Sequence, residues 1–226
     1  MDRCITCGLR NFMRSRIIPS RRKVNPQESP RQFFLWAWTG EVAMLCATRM
    51  NAPIPANEKR RLEVLWQYEV LDTPPDETLD DLTELAAHIG QTPIALISLV
   101  DEKRQWFKSR LGVNATETAR DISFCTHAIL QREVMVVPDA LKDERFAHSP
   151  LVTAAPFIRF YAGAPLITPE GLALGTLCII DHEPRELSKK QVEMMEKLAR
   201  VIMRYLTLHR QIRNLSQVPI RQKSAV

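Results

Sequence analysis

Glycine is scarce in this 226-residue chain, with seven residues against 15 prolines. That scarcity excludes a collagen repeat and a linker-dominated chain, and no Gly-rich nucleotide loop is present. Cysteine is scarce too. Five cysteines in a chain of this length do not make a disulfide framework. No apolar run reaches the roughly 18 residues that span a bilayer, so no membrane span is expected. Kinase and cyclase signatures are also missing. What is there is ordinary for a soluble globular protein: 45% apolar and 25% charged residues. A domain of this size can bury a full core without disulfide or metal staples.

Charge is unevenly spread. The whole chain carries +5, from 31 Lys and Arg against 26 Asp and Glu. Residues 1–50 hold nine basic and three acidic residues, so the remainder is close to neutral. A nucleic-acid reading based on the basic isoelectric point therefore does not apply to the body of the protein. The leader shows no sustained structural period. Cys4-x-x-Cys7 is half a zinc motif without a second pair. Arg21-Arg22 precedes its apolar stretch by too far for a twin-arginine signal, and an organelle transit peptide has only the Arg-rich composition behind it. Residues 1–50 are expected to be a disordered leader or an over-long gene start, with Met50 opening the true chain.

The body reads as alternating helices and hairpins. Asn57 is positioned to cap a helix over 58–70, and a second helix is expected over 76–90, ended by Gly90. Pro93–Val100 is a nearly continuous apolar run, read as a buried strand. Residues 105–110 form its hairpin partner, and 112–120 read as a polar loop. Asp121 or Ser123 can cap a short helix over 124–131. A strand follows at 134–137, then a loop over 143–156 with room for one helical turn. Residues 158–167 and 173–180 make a second hairpin around Thr168-Pro169-Glu170-Gly171. Ser188 caps a long helix over 189–213, and the tail 214–226 is expected to be disordered. Hairpins dominate, so the expected class is α+β: one mostly antiparallel sheet of five to six strands with flanking helices.

A family resemblance rests on the motifs Leu71-Asp72-Thr73-Pro74-Pro75, Ile97-Ser98-Leu99-Val100-Asp101, Gln105-Trp106-Phe107-Lys108-Ser109, Arg120-Asp121-Ile122-Ser123-Phe124-Cys125, Val137-Pro138-Asp139-Ala140, Phe160-Tyr161-Ala162-Gly163-Ala164-Pro165-Leu166 and Leu174-Gly175-Thr176-Leu177-Cys178-Ile179-Ile180-Asp181. In that order they resemble a bacterial GAF domain, of the subtype found N-terminally in sensor histidine kinases and diguanylate cyclases. The resemblance covers roughly residues 57–212, nearly the whole of the domain expected over 51–213. It implies a GAF/PAS-like sensor fold, in which a sheet cups a small molecule on one face and helices on the other face pair two subunits. Such domains usually continue into an output domain. This chain ends at Val226, so a stand-alone sensor or a truncated gene is expected.

Candidate ligand-binding residues are Asp121, Phe124, Cys125, His127, Arg159 and Tyr161. Cys125 and His127 suggest a nucleophile and its base. Two residues apart on a helix they point away from each other, so no catalytic pair is expected. Cys125 reads first as a small core residue, and Cys178, inside an apolar strand, as an inert thiol. Arg159 and Tyr161 share one strand face and would suit an anionic ligand. The rival reading pairs Arg159 with Asp121 or Asp139. Trp106 and Phe107 point to opposite faces. Bilin-attaching GAF domains need a cysteine that 148–157 lacks, so a covalent bilin is not expected. No cofactor or metal is expected, and the ligand is an unknown small molecule. GAF domains that reduce free methionine sulfoxide use several cysteines, which leaves a redox enzyme built on Cys125 as the alternative.

The last helix speaks to partners. Met194, Leu198, Val201, Tyr205, Leu208, Ile212 and Leu215 follow a heptad spacing. A second stripe, Val192, Met195, Ala199, Ile202 and Leu206, runs beside it. One stripe can cover the sheet and the other a second subunit. The expectation is a cytoplasmic, non-enzymatic sensor that works as a homodimer or through a signalling partner. An interaction-only relic with a filled cup is the remaining alternative.

Overall fold

The computed structural model describes residues 53–216. The readings made for 1–50, for Cys4 and Cys7, and for 217–226 lie outside the described residues. The elements run in the order α1 (Glu58–Gln67), α2 (Glu77–Gly90), β1 (Ile94–Val100), β2 (Arg104–Leu111), β3 (Glu117–Ala119), α3 (Phe124–Ala128), β4 (Met135–Val137), α4 (Pro150–Thr153), β5 (Phe160–Ile167), β6 (Ala173–Asp181) and α5 (Lys189–Ser216). A single 3₁₀ turn, Arg120–Ile122, precedes α3.

The six strands form one sheet in the order β3-β2-β1-β6-β5-β4, and every neighbouring pair is antiparallel. This is the α+β architecture expected from the hairpins. Both hairpins close where turn chemistry places them. Gly171 supplies the left-handed residue of the second, with its N–H bonded to the Thr168 carbonyl.

Period-2 alternation divides the core in two. Ala95, Ile97, Leu99, Phe160, Ala162, Leu177 and Ile179 face the helices α1, α2 and α5. Leu96, Val100, Phe107, Tyr161, Cys178 and Ile180 face α3, α4 and their loops. Trp106 and Phe107 fall on opposite sides, as the pattern predicts. The sheet thus separates a helix-covered face from a loop-covered one.

Several local expectations need correction. Asn57 does not cap α1 with its side chain, because its backbone is not extended and the side chain misses the first-turn N–H groups. α1 stops at Gln67 rather than at residue 70, with Glu69 at positive φ. Asp76 caps α2 through Leu79 N–H. The left-handed residue ending α2 is Gln91, not Gly90. Gly90 answers a packing need instead: a Cβ there would lie 2.4 Å from the Ile179 side chain. Part of the expected loop 112–120 pairs with β2 as β3. α3 has five residues, fewer than the eight expected. α5 runs to Ser216, three residues past its expected end. Its start is a capping box: Ser188 Oγ accepts from Gln191 N–H, and Gln191 Oε1 accepts from Ser188 N–H.

Candidate functional site

The loop-covered face is where the candidate residues gather. Ser123 caps α3 by accepting from Cys125 N–H, and its hydroxyl donates to Gln105 on β2. This pins the short helix over the sheet and aims Phe124 and Cys125 inward. Both are buried. The Phe124 ring stacks on Tyr161 from β5 and on Phe146, with centroids 5.0 and 4.1 Å apart.

Cys125 Sγ is the centre of a polar knot in an otherwise apolar face. Thr176 Oγ1 donates to it at 3.0 Å, Tyr161 OH at 3.2 Å and Ser98 Oγ at 3.3 Å. Cys178 Sγ on β6 lies 3.8 Å away. Burial by itself would push the Cys125 thiol up. The hydrogen bonds from Cys178, Ser98, Thr176 and Tyr161 outweigh it and hold Cys125 down at about 6. Burial and the charge on Cys125 push the Tyr161 phenol well above its usual range. Cys178 is raised well above its own range by its hydrogen bond to Cys125 and by burial. Of the three acidic groups in the knot, the Cys125 thiol is thus the one whose ionised form the surroundings favour.

The cup itself is nearly full. Leu96, Gln105, Phe107, Thr118, Phe124, Cys125, Leu151, Ile158, Tyr161 and Ile180 enclose about 20 Å³. That is room for one water-sized molecule. The Thr118 hydroxyl in this lining is buried without a hydrogen-bond partner. The roomier depressions are open grooves elsewhere. One of about 450 Å³ lies between β5 and α5, lined by Arg132, Glu133, Glu196 and Arg200 among others. Its mixed charges favour no single ligand sign.

The structure brings Phe124, Cys125 and Tyr161 together and leaves the other three candidates apart. Asp121 is exposed on the 3₁₀ turn. Arg159 precedes β5 and grips Asp139 with two bonds, Nε to Oδ1 at 2.9 Å and Nη2 to Oδ2 at 3.0 Å. This is one of the two carboxylate partners considered for it. His127 turns from the cup toward Phe146, edge-on at 4.9 Å. Burial and then Arg145 lower its proton affinity, and its Nε2 is buried without a partner. Sequence reasoning missed Ser98 and Thr176, which face Cys125 across β1 and β6. The signal was available: each is a hydroxyl inside an apolar strand, where a buried polar group needs a partner.

On the opposite face, Met195, Ala199, Ile202, Met203 and Leu206 of α5 are buried. They include most of the second stripe, and Val192 is half-buried. Of the heptad seam, Leu198 and Tyr205 are partly buried against the core. Met194, Val201, Leu208, Ile212 and Leu215 stay exposed.

The GAF domain family profile matches residues 74–206. The chain belongs to the GAF family. It is 46% identical over 152 residues to a cyclic di-GMP phosphodiesterase of Pseudomonas aeruginosa, an alignment covering 67% of this chain and 26% of that protein. The chain thus spans about a quarter of that relative. The GAF domain of an Acinetobacter phosphoenolpyruvate-protein phosphotransferase superposes with a TM-score of 0.51 at 16% identity, covering 69% of this chain and 98% of that one. A domain of a Sinorhizobium meliloti protein described as a two-component sensor histidine kinase gives 0.50 at 17%, covering 62% and 97%. These two share the GAF sheet and helices with this chain. Among the described residues, no helix is long and apolar enough to cross a membrane, and no group of three or more His, Cys, Asp or Glu is placed to hold a metal ion.

Proposed function

We propose that this GAF domain is the sensory input module of a bacterial cyclic di-GMP signalling protein. A small molecule acting in the cup is reported through α5 to a second subunit or to a partner protein. One observation carries the reading: a single sheet lies between the Cys125–Tyr161 knot and the buried stripe of α5, whose seam points outward. β6 belongs to both faces. Thr176 and Cys178 meet Cys125, while Leu177 and Ile179 belong to the core that α5 covers. A shift in the cup therefore reaches α5 across one layer of backbone. The relation to a cyclic di-GMP phosphodiesterase supports the class of output. The domain itself carries no turnover in this reading. The cytoplasm is its compartment, where thiols such as Cys125 and Cys178 stay free.

The small volume of the cup favours a second reading, an interaction-only module that works with its cup filled by its own side chains. Native mass spectrometry and thermal melting of the chain, purified reduced from its own host, separate the two. The sensory reading expects a dimer that retains extra mass. Adding the released molecule back should raise Tm by several degrees at a hundredfold excess over Kd. A dimer that retains nothing and responds to no extract favours the interaction module. A bare monomer removes the second subunit as receiver and leaves a partner protein as the only one.

A further inference from the structure

The Cys125 and Cys178 sulfurs lie 3.8 Å apart, and both thiols are free. A disulfide needs about 2.05 Å, so they must close by a little under 2 Å. The two sulfurs are not equally held. Cys178 sits in the middle of β6, paired to Leu96 of β1 on one side and Gly163 of β5 on the other. Cys125 belongs to a five-residue helix held by side chains rather than by a strand ladder: the Ser123 cap, the Phe124 stacks on Tyr161 and Phe146, and the Thr126 hydroxyl donating to the Arg120 carbonyl. The movable partner is α3.

A buried thiol in apolar surroundings is inert. This one differs in two respects. The hydroxyls of Ser98, Tyr161 and Thr176 give its sulfur the hydrogen bonds that water would supply to a thiolate. It also lines a cavity of about 20 Å³, matched in size to a molecule little larger than water.

We propose that Cys125 and Cys178 form a redox site, at which a small peroxide entering the cup oxidises Cys125 and the pair closes to a disulfide. This rests on the sensory reading of the cup and names the class of its effector. The Cys125 thiolate attacks one oxygen of hydrogen peroxide. The S–O bond forms, the O–O bond breaks, and the departing hydroxide takes up the proton that the Cys125 thiol released on ionising, becoming water. The Cys178 sulfur then attacks the sulfenic sulfur of Cys125. The S–S bond forms, the S–O bond breaks, and the Cys178 proton leaves with the hydroxyl as a second water. Two thiols lose two electrons and one peroxide gains them. A thiol reductant restores the pair. The closed pair no longer offers a charged acceptor to Ser98, Thr176 and Tyr161. The change lands on β6, whose other face packs under α5.

The test uses the full chain, reduced, cleared of reductant and kept anaerobic. It is treated with one to ten equivalents of hydrogen peroxide, quenched, alkylated under denaturing conditions and mapped by peptide mass. The expected result is a linked Cys125–Cys178 peptide, its loss on adding dithiothreitol, and dimedone capture at Cys125 in Cys178→Ser. Near-ultraviolet circular dichroism of the folded protein should change with formation of the link. Both cysteines recovered fully alkylated, while Cys4, Cys7 or Cys46 are oxidised, would overturn the proposal. So would a link that forms only after denaturation. Retention of a ligand mass by the reduced protein is read separately, so the sensory reading can stand when the redox site fails.

Discussion

The Tyr161 hydroxyl occupies the space that a side chain on Gly163 would need: a Cβ built there lies 2.2 Å from the phenol oxygen and 2.7 Å from the ring carbon bearing it. The ring lies along its own strand, over the next residue on the same face, to reach Cys125. Gly163 is therefore required by a close approach rather than by its backbone angles. Gly163→Ala is expected to cost about 2–4 kcal/mol in urea unfolding, because the ring is held by packing and cannot yield. In a Tyr161→Leu background the added cost of Gly163→Ala should fall below about 1 kcal/mol. Equal costs in both backgrounds would show that the two positions do not compete for one space.

Glu58 is clasped by two buried arginines. Arg61 binds it with Nε and Nη2 at 2.7 and 2.8 Å, and Arg120 Nη1 reaches it at 2.6 Å. One carboxylate thus fastens α1 to the turn before α3. Removing it leaves two uncompensated guanidinium groups, so Glu58→Ala should cost about 3–5 kcal/mol. Burial opposes the charge, yet the bonds from Arg61 and Arg120 lower the carboxyl from 4.5 to about 2. A carboxylate depressed on folding contributes stability above its ordinary range and loses it as pH falls toward the folded value. The gap in stability between wild type and Glu58→Gln should therefore be full at pH 6 and shrink between about pH 4.5 and 2. Its pH-dependent part should be about 1–2 kcal/mol, below the full linkage value because the carboxylate is partly solvated. A gap that stays constant with pH would mean that Glu58 acts through packing alone.

The two stripes of α5 call for opposite outcomes from the same kind of substitution. Leu208 is 54% exposed and Val201 47%, whereas Ile202 is fully buried. Val201→Glu and Leu208→Glu should leave Tm within about 2 °C while lowering the sedimenting mass from dimer to monomer. Ile202→Asp should unfold the domain, since a buried unpaired carboxylate costs several kcal/mol. If the exposed-stripe variants sediment like wild type, the seam is not a subunit contact.

How much of this was legible in sequence depended on what decides each feature. The apolar run Ile94–Val100 and the two hairpins are fixed by local pattern, and they were readable. The Ser188–Gln191 capping box was half-readable, since only its first member was picked out. β3 was not readable, because Glu117–Ala119 is polar and becomes a strand only through pairing with Arg104–Trp106. Gly90 stays inside α2, where a Cβ would crowd Ile179, and the left-handed residue is Gln91; local pattern shows neither. In the candidate site, alternation placed Tyr161 correctly on a strand face. It could not show that α3 would aim Cys125 at β6, since that depends on docking between elements 50 residues apart in sequence. Arg159 shared the parity of Tyr161 but precedes β5, where its side chain reaches Asp139.

Asp76 joins the beginning of α2 to the middle of α5. Its carboxylate accepts from Leu79 N–H at 3.2 Å, the capping bond, and from the Tyr205 phenol at 2.9 and 3.0 Å. Two structural tasks therefore rest on one side chain. Asp76→Ala loses both and should cost about 2–3 kcal/mol, the sum of a cap and a charge-assisted hydrogen bond. Tyr205→Phe keeps the cap and should cost about 1–1.5 kcal/mol. The two losses overlap, so the double variant should fall short of their sum by about 1 kcal/mol. Burial and the Asp76 charge raise the Tyr205 phenol, against a hydrogen bond from Thr78 that lowers it. An absorbance titration should therefore show a late-ionising tyrosine that moves toward the ordinary value in Asp76→Asn. Tyr205 lies on the heptad stripe yet is partly buried against the core, so this bond ties α5 to the start of α2. Strictly additive losses, or a titration unchanged by Asp76→Asn, would show that the two side chains do not act as a pair.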